Sequence, residues 1–264
     1  MNDGGAALYV YGVVPSENPP ELADVAGIEP SQPVVLVQHD DVAAIASAVP
    51  LEEFGADAID SHLHDPNWLE DKVRAHDAVL EAALARTTVV PFRFGAIYLG
   101  EEQVRQMLAD RPEFADVLSR LNGTVELGVK GILRRGSFHE RLGAQRGIDQ
   151  EPAPSGRAYM ERKRLDRDVD EALRTFATEC ASDSHETLAA VAADARANPV
   201  QRPEVLGPER EMLLNGAYLV DADHVNAFRS ALAALQERYG PDGVTYELTG
   251  PWPAYNFVQD EAET

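Results

Sequence analysis

Leu8 to Pro15, LYVYGVVP, is an uncharged run of aromatic and β-branched residues closed by a proline, which predicts an inner β-strand. Pro33 introduces a second expected strand, VVLVQH, at Val34 to His39. From Asp40 to Val49 an alanine-rich apolar pattern fits a short helix or a third strand, because runs this short carry no deciding period. Asp65, Pro66 and Asn67 make a helix start. Leu69, Val73, His76, Leu80, Ala83 and Leu84 then recur at three and four, which places one apolar face on a helix reaching about Arg86.

Thr87 to Phe94 returns to strand character, with Pro91 calling for an edge, a bulge or a strand end there. On a regular strand Arg93 would project opposite to Phe92 and Phe94. Glu101 to Asp110 has helical composition, with Val104 and Leu108 on one side. Asp110 and Glu113 match a capping box with Pro112 in the first turn, which predicts a kink or a fresh short helix through Leu121. Asn122-Gly123 signals a turn, and Thr124 to Arg135 alternates as a strand. Strands and two amphipathic helices in this order predict an α+β layer, helices covering one side of an antiparallel sheet, suited to a modified ferredoxin-like domain.

The second half begins after a breaker-rich stretch, Gly136 to Gly156. From Arg157 to Asn198 a stripe of Val169, Leu173, Phe176, Cys180, Leu188, Val191 and Ala195 predicts one long helix, or two broken near Ser182 to Ser184. Its seam would pack within its own lobe or in a coiled coil. Glu211 to Val220 is a strand, Asp221 a candidate cap for a helix lined by Val225, Phe228, Leu232 and Leu235, and Val244 to Leu248 the last clear strand. The expected organisation is therefore α+β in two domains: an N-terminal sheet with helices at 1–135, a linker at 136–155, and an α+β domain with a long coiled-coil-like helical segment at 156–264.

Charge narrows the range of partners. The formal net charge is −22, and no lysine or arginine precedes Lys72. A nucleic-acid partner is disfavoured, since its phosphates must be neutralised. The charge either serves solubility alone or keeps soluble a protein that handles a very apolar partner. Arg134, Arg135, Arg141 and Arg146 form the one positive section, suited to docking an acidic surface, including the protein's own. No basic leader precedes an apolar core, and no apolar run has membrane-helix length, so a cytoplasmic location without membrane contact is expected. One cysteine excludes an internal disulfide framework.

Candidate chemistry is sparse. His62 and His64 lie near Asp60 and Asp65, without the tight spacing of a zinc helix, and read as solvated turn residues. His76 reads as a core histidine bonded to a neighbouring strand, and Cys180 as a small core residue. No nucleophile elbow, phosphate loop or nucleotide fingerprint is present, so neither catalytic, metal nor cofactor residues are assigned. Two dense segments remain, VVPFRFGAIY at Val89 to Tyr98 and LTGPWPAYNFV at Leu248 to Val258. Arg93 suits either an ion pair that holds its face or an anchor for a partner carboxylate or backbone. The cluster of Trp252, Tyr255 and Phe257 suits either a core seal or a partner contact.

LYVYGVV, the helix holding His76, VVPFRFG, ELGVKG, GRAYMERK, NGAYLVD and LTGPWPAYNFV, in this order over almost the whole chain, resemble the GvpL/GvpF family of gas vesicle accessory proteins. Ala254 stands where that family often has a second proline. The resemblance implies a modified ferredoxin-like N-terminal domain and a C-terminal α+β domain with coiled-coil-like helices. It also implies a non-enzymatic, cofactor-free role in gas vesicle assembly, in contact with the small hydrophobic major shell protein and other accessory proteins. On that expectation Phe92, Arg93 and Phe94, with Trp252, Tyr255 and Phe257, are the partner-binding residues. The rival readings are a scaffold that contacts only other accessory proteins, and a hydrolase or metal-dependent enzyme.

Overall fold

The computed structural model describes residues 7–62, 64–145, 156–201, 206–207 and 209–258. The architecture is α+β, with two sheets in two compact units. One unit takes the chain up to Val125 and regains it from Trp252, while the other is formed by Glu126–Pro251. These limits differ from boundaries drawn at 135 and 156 along the sequence. The alternating run from Thr124 contributes most of its length to the second unit, and the aromatic C-terminal segment returns to the first. The expected linker at 136–155 is helical as far as Gln145; residues 146–155 lie outside the described residues.

In the first unit, β1 (Ala7–Pro15) is buried at each of its first eight positions. An uncharged strand of this kind belongs at the centre of a sheet covered on both faces. Its neighbours are β3 (Val42–Val49) on one side and two short strands, β4 (Val90–Pro91) and β5 (Ile97–Leu99), on the other, all antiparallel to it. The outer strand β2 (Val34–His39) pairs with β3. The ambiguous segment after Asp40 is thus a strand, and its alanines place little bulk between the helices. Opposite β3 the register of β1 shifts between Val10 and Gly12, a β-bulge at Tyr11.

Two short helices, α1 (Leu51–Phe54) and α2 (Ala56–His62), precede α3 (Pro66–Leu84). Asp65 caps α3 by accepting hydrogen bonds from the backbone of Asn67 at 3.0 Å and Trp68 at 3.4 Å, and Pro66 occupies a first-turn position where no donor is needed. The helix buries His76, Val79, Leu80 and Ala83, packed with Tyr9, Tyr11 and Ile45 of the sheet. Each large apolar side chain so buried contributes about 1.5–3 kcal/mol. On the other face, α4 (Glu101–Ala109) and α5 (Glu113–Leu121) pack against β2, β3 and β1. Helices therefore cover both sides of this sheet, not one. The expected capping box does not form: Asp110 ends α4, and α5 starts after Pro112 without a side-chain cap.

The second unit holds a four-stranded sheet in the order β7-β8-β6-β9, where β6 is Thr124–Arg134, β7 Asp194–Ala197, β8 Arg210–Asp221 and β9 Val244–Trp252. Between β6 and β7 lie α6 (Arg135–Gln145) and α7 (Gly156–Ala189). α7 runs unbroken through Ser182–Ser184 but stops at Ala189, and the DARA segment beyond it pairs antiparallel with β8. Val191 and Ala195 are therefore not on the helical seam. Leu173, Cys180, Ser184 and Leu188 are buried along α7, which packs on β8 and on α8 (Val225–Tyr239). Asp221 does not cap α8: a short 3-10 turn intervenes, and the Asp221 carboxylate lies 3.1 Å from His224 Nδ1. Two arginines of the positive section pair inside this unit, Arg135 with Glu211 at 2.7 Å and Arg141 with Asp242 at 2.8 Å.

Candidate partner-binding site

The first dense segment lies in the first unit, and the second enters that unit from Trp252 onward, where the two meet. β4 ends at Pro91, which has no donor to continue the ladder. Phe92 still donates its N–H to the Tyr11 carbonyl at 2.8 Å, and Val10 donates to the Ala96 carbonyl at 2.8 Å. The chain leaves β1 between these two tethers and rejoins it as β5. Gly95 adopts φ +100° within the excursion, a conformation that glycine reaches at no steric cost. Its N–H donates to the Tyr9 hydroxyl at 3.2 Å.

This geometry corrects the expectation of a regular strand through Phe94. Phe94 turns toward an aromatic group, with ring centroids 5.9 Å from Tyr9, 6.2 Å from His76 and 6.3 Å from Trp68. Phe92 turns elsewhere, 5.8 Å from Phe114 of α5. Arg93, between them, is exposed.

The C-terminal segment completes the site. Phe257 is 1% exposed and its carbonyl accepts from Arg120 at 3.0 Å. It is buried in the core. Trp252 is 39% exposed and does not line the cleft described below. Tyr255 does, and it also reaches inward, its hydroxyl 3.0 Å from His76 Nε2.

His76 Nδ1 in turn lies 2.8 Å from the Tyr9 hydroxyl. Tyr255 also hydrogen-bonds the Asp77 carboxylate. An ionised carboxylate only accepts, so Tyr255 donates to Asp77 and accepts from His76 Nε2–H. His76 Nδ1 then accepts from Tyr9, whose oxygen accepts from Gly95 N–H. In this direction each member has a partner, and the Phe92 backbone carbonyl is a further acceptor for His76. Burial drives the His76 pKa down to about 4, against a hydrogen bond to the Phe92 backbone. Burial also raises Tyr9 and Asp77, the latter with help from Glu81. His76 is accordingly a neutral structural hub, the hydrogen-bonded core histidine that the helical pattern predicts.

A cleft of about 310 Å³ opens on the outer side of this hub. Pro91, Phe92, Phe114, Val117 and Val258 supply apolar walls, and Arg93, Arg111 and Glu113 supply its charges. The Arg111 guanidinium sits 5.9 Å from the centroid of the Phe114 ring. Four expected partner residues, Phe92, Arg93, Phe94 and Tyr255, line this one cleft. Sequence reasoning missed Arg111, Phe114 and Val117, which carry no local signal beyond an ordinary amphipathic helix and its approach.

Elsewhere, the His62 ring stacks on Trp68 at 5.0 Å. Among the described residues no group of three or more His, Cys, Asp or Glu is placed to hold a metal ion. No helix among them is long and apolar enough to cross a membrane.

Comparison with known proteins gives a consistent result. The family model described as gas vesicle synthesis protein GvpL/GvpF matches residues 7–259. Gas vesicle protein L of Streptomyces sp. (strain CB03234) is 34% identical over 95% of this chain and 92% of its own length. Gas vesicle protein F1 of Halobacterium salinarum is 29% identical over 95% of this chain and 92% of its own. The crystal structure of GvpF from Anabaena sp. PCC7120 shares the fold with a TM-score of 0.70 at 17% identity, covering 96% of each chain. That of GvpF from Microcystis aeruginosa gives 0.66 at 19% identity, over 96% of this chain and 99% of the other.

Proposed function

The chain belongs to the GvpL/GvpF family of gas vesicle synthesis proteins, and from that premise we propose that it is a non-enzymatic accessory protein that binds the small hydrophobic major shell protein during gas vesicle assembly. The family match across residues 7–259 carries this reading. Within it, the first unit is a modified ferredoxin-like sheet and the second an α+β domain with a coiled-coil-like helix. The protein works in the cytoplasm and at the gas vesicle. A subunit that faces gas must present a very apolar surface, which in free solution drives aggregation. A chain of net charge −22 stays dispersed while it covers such a surface. The cleft lined by Phe92, Arg93, Phe94, Tyr255 and α5 is the contact point.

The test is co-expression of the full chain with the major shell protein, followed by affinity capture and size-exclusion chromatography. A soluble complex is the expected result. Shell protein that stays out of the captured fraction while this chain remains folded and soluble would replace this reading with that of a scaffold among accessory proteins.

A further inference from the structure

We infer that the cleft recognises a specific chemistry: a short apolar segment of the shell subunit with a carboxylate beside it, seated between Arg93 and Arg111. The inference deepens the assembly reading and rests on it for the identity of the partner.

The chain carries 45 acidic against 23 basic residues, so its surface as a whole repels carboxylates. The cleft runs against that balance, with two arginines and the single acid Glu113. Arg111 lies over the Phe114 ring, and Arg93 is held in the excursion between the tethers at Phe92 and Ala96. Guanidinium groups flanking apolar walls bind carboxylates strongly, because neighbouring apolar surface excludes competing water and the planar fork matches two oxygens. The apolar walls demand an apolar neighbour for that carboxylate. The cleft's 310 Å³ lies at the lower end of the roughly 300–1,000 Å³ typical of small-ligand sites. It accommodates a few side chains and excludes a whole helix.

Two arms test the assignment. In the first, a fluorescein-labelled, end-blocked octapeptide with a Leu-Ile-Phe core beside one glutamate is titrated onto the full chain, in parallel with its twin carrying lysine instead. The glutamate peptide is expected to bind about tenfold tighter at low salt, a gap that narrows as salt screens the charge. Arg111→Glu and Arg93→Glu, each confirmed as folded by circular dichroism, are expected to abolish or invert the preference, and Arg74→Glu on α3 to leave it intact. Equal binding of the two peptides, or a preference that survives both cleft variants, overturns the assignment. In the second arm the same variants are co-expressed with the shell protein. Failure of the wild-type chain to capture it while the peptide preference holds removes the assembly reading and leaves the cleft chemistry standing. Capture without any peptide preference removes the cleft chemistry alone.

Discussion

Tyr255 Oη lies 3.0 Å from His76 Nε2, across 179 positions of sequence. Through this contact the C-terminal segment is bonded to the middle of α3, and through Tyr9 and Gly95 to the excursion that carries Arg93. Two walls of the cleft, the excursion and the C-terminal segment, are thus tied to one buried chain of hydrogen bonds.

Tyr255→Phe keeps the ring but removes both the acceptor for His76 and the donor to Asp77. His76 is 1% exposed and keeps only the Phe92 backbone as an acceptor, while Asp77 loses its donor. The expected cost is about 1–3 kcal/mol of unfolding free energy, read by urea denaturation. Binding at the cleft should weaken with it, because Tyr255 also lines the wall. An unchanged midpoint would mean that the chain of bonds contributes nothing net.

Stability should fall with acid in a window set by His76. Its folded pKa is about 4 against an ordinary value of 6.5, so between these values the unfolded chain binds the extra proton. Unfolding free energy then rises with pH through the window. The contribution is complete above pH 6.5 and lost as pH falls toward 4, with a ceiling of roughly 3 kcal/mol. Asp77, raised by burial and Glu81, acts oppositely, favouring its protonated form in the fold. In His76→Gln the upward slope between these pH values should disappear. The check is denaturation at a series of pH values for both proteins; parallel curves would exclude His76 as the source.

Gly12 stands where β1 meets β4, and an added Cβ would lie 2.6 Å from the Val90 carbonyl oxygen and 3.2 Å from Leu80. Backbone is on one side and the α3 core on the other, so neither can yield cheaply. Gly12→Ala should destabilise the protein by about 1–3 kcal/mol, with a matching fall in thermal midpoint. Because β4 leads directly into Phe92, the variant should also weaken capture at the cleft.

Sequence patterns expose the centre of each element better than its ends. β1, α3 and β8 are legible because uncharged β-branched runs, a cap and helical spacing agree locally. β3 is ambiguous because Ala43, Ala44, Ile45 and Ala46 are all buried, which erases the alternation a half-buried strand would show. The end of α7 at Ala189 and the strand Asp194–Ala197 are illegible for a different reason. DARA is a half-exposed edge strand fixed by its pairing with β8, and edge position is a tertiary property. The site divides the same way. PFRFG and PWPAYNF stand out by density, whereas Arg111, Phe114 and Val117 join only when α5 and the turn before it reach the excursion.

Cys180 offers a reporter for the second unit. It is 1% exposed, burial raises its thiol pKa, and the Tyr246 hydroxyl lies 3.6 Å from its sulfur and 2.6 Å from Ser184 Oγ. Reaction with a maleimide should therefore require opening of the structure, at a rate set by the opening equilibrium. Tyr246→Phe leaves the Ser184 hydroxyl, 0% exposed, without that partner. A cost of about 1–3 kcal/mol follows, and labelling should accelerate by about tenfold, the equivalent of 1.4 kcal/mol. Thiol acidity cannot be the cause, because the Tyr246 hydrogen bond lowers the Cys180 pKa in the closed structure, so its loss there reduces the thiolate, and the opened state lacks it in both proteins. Acceleration thus isolates the structural term. An unchanged rate would show that the Ser184 hydroxyl is satisfied without Tyr246.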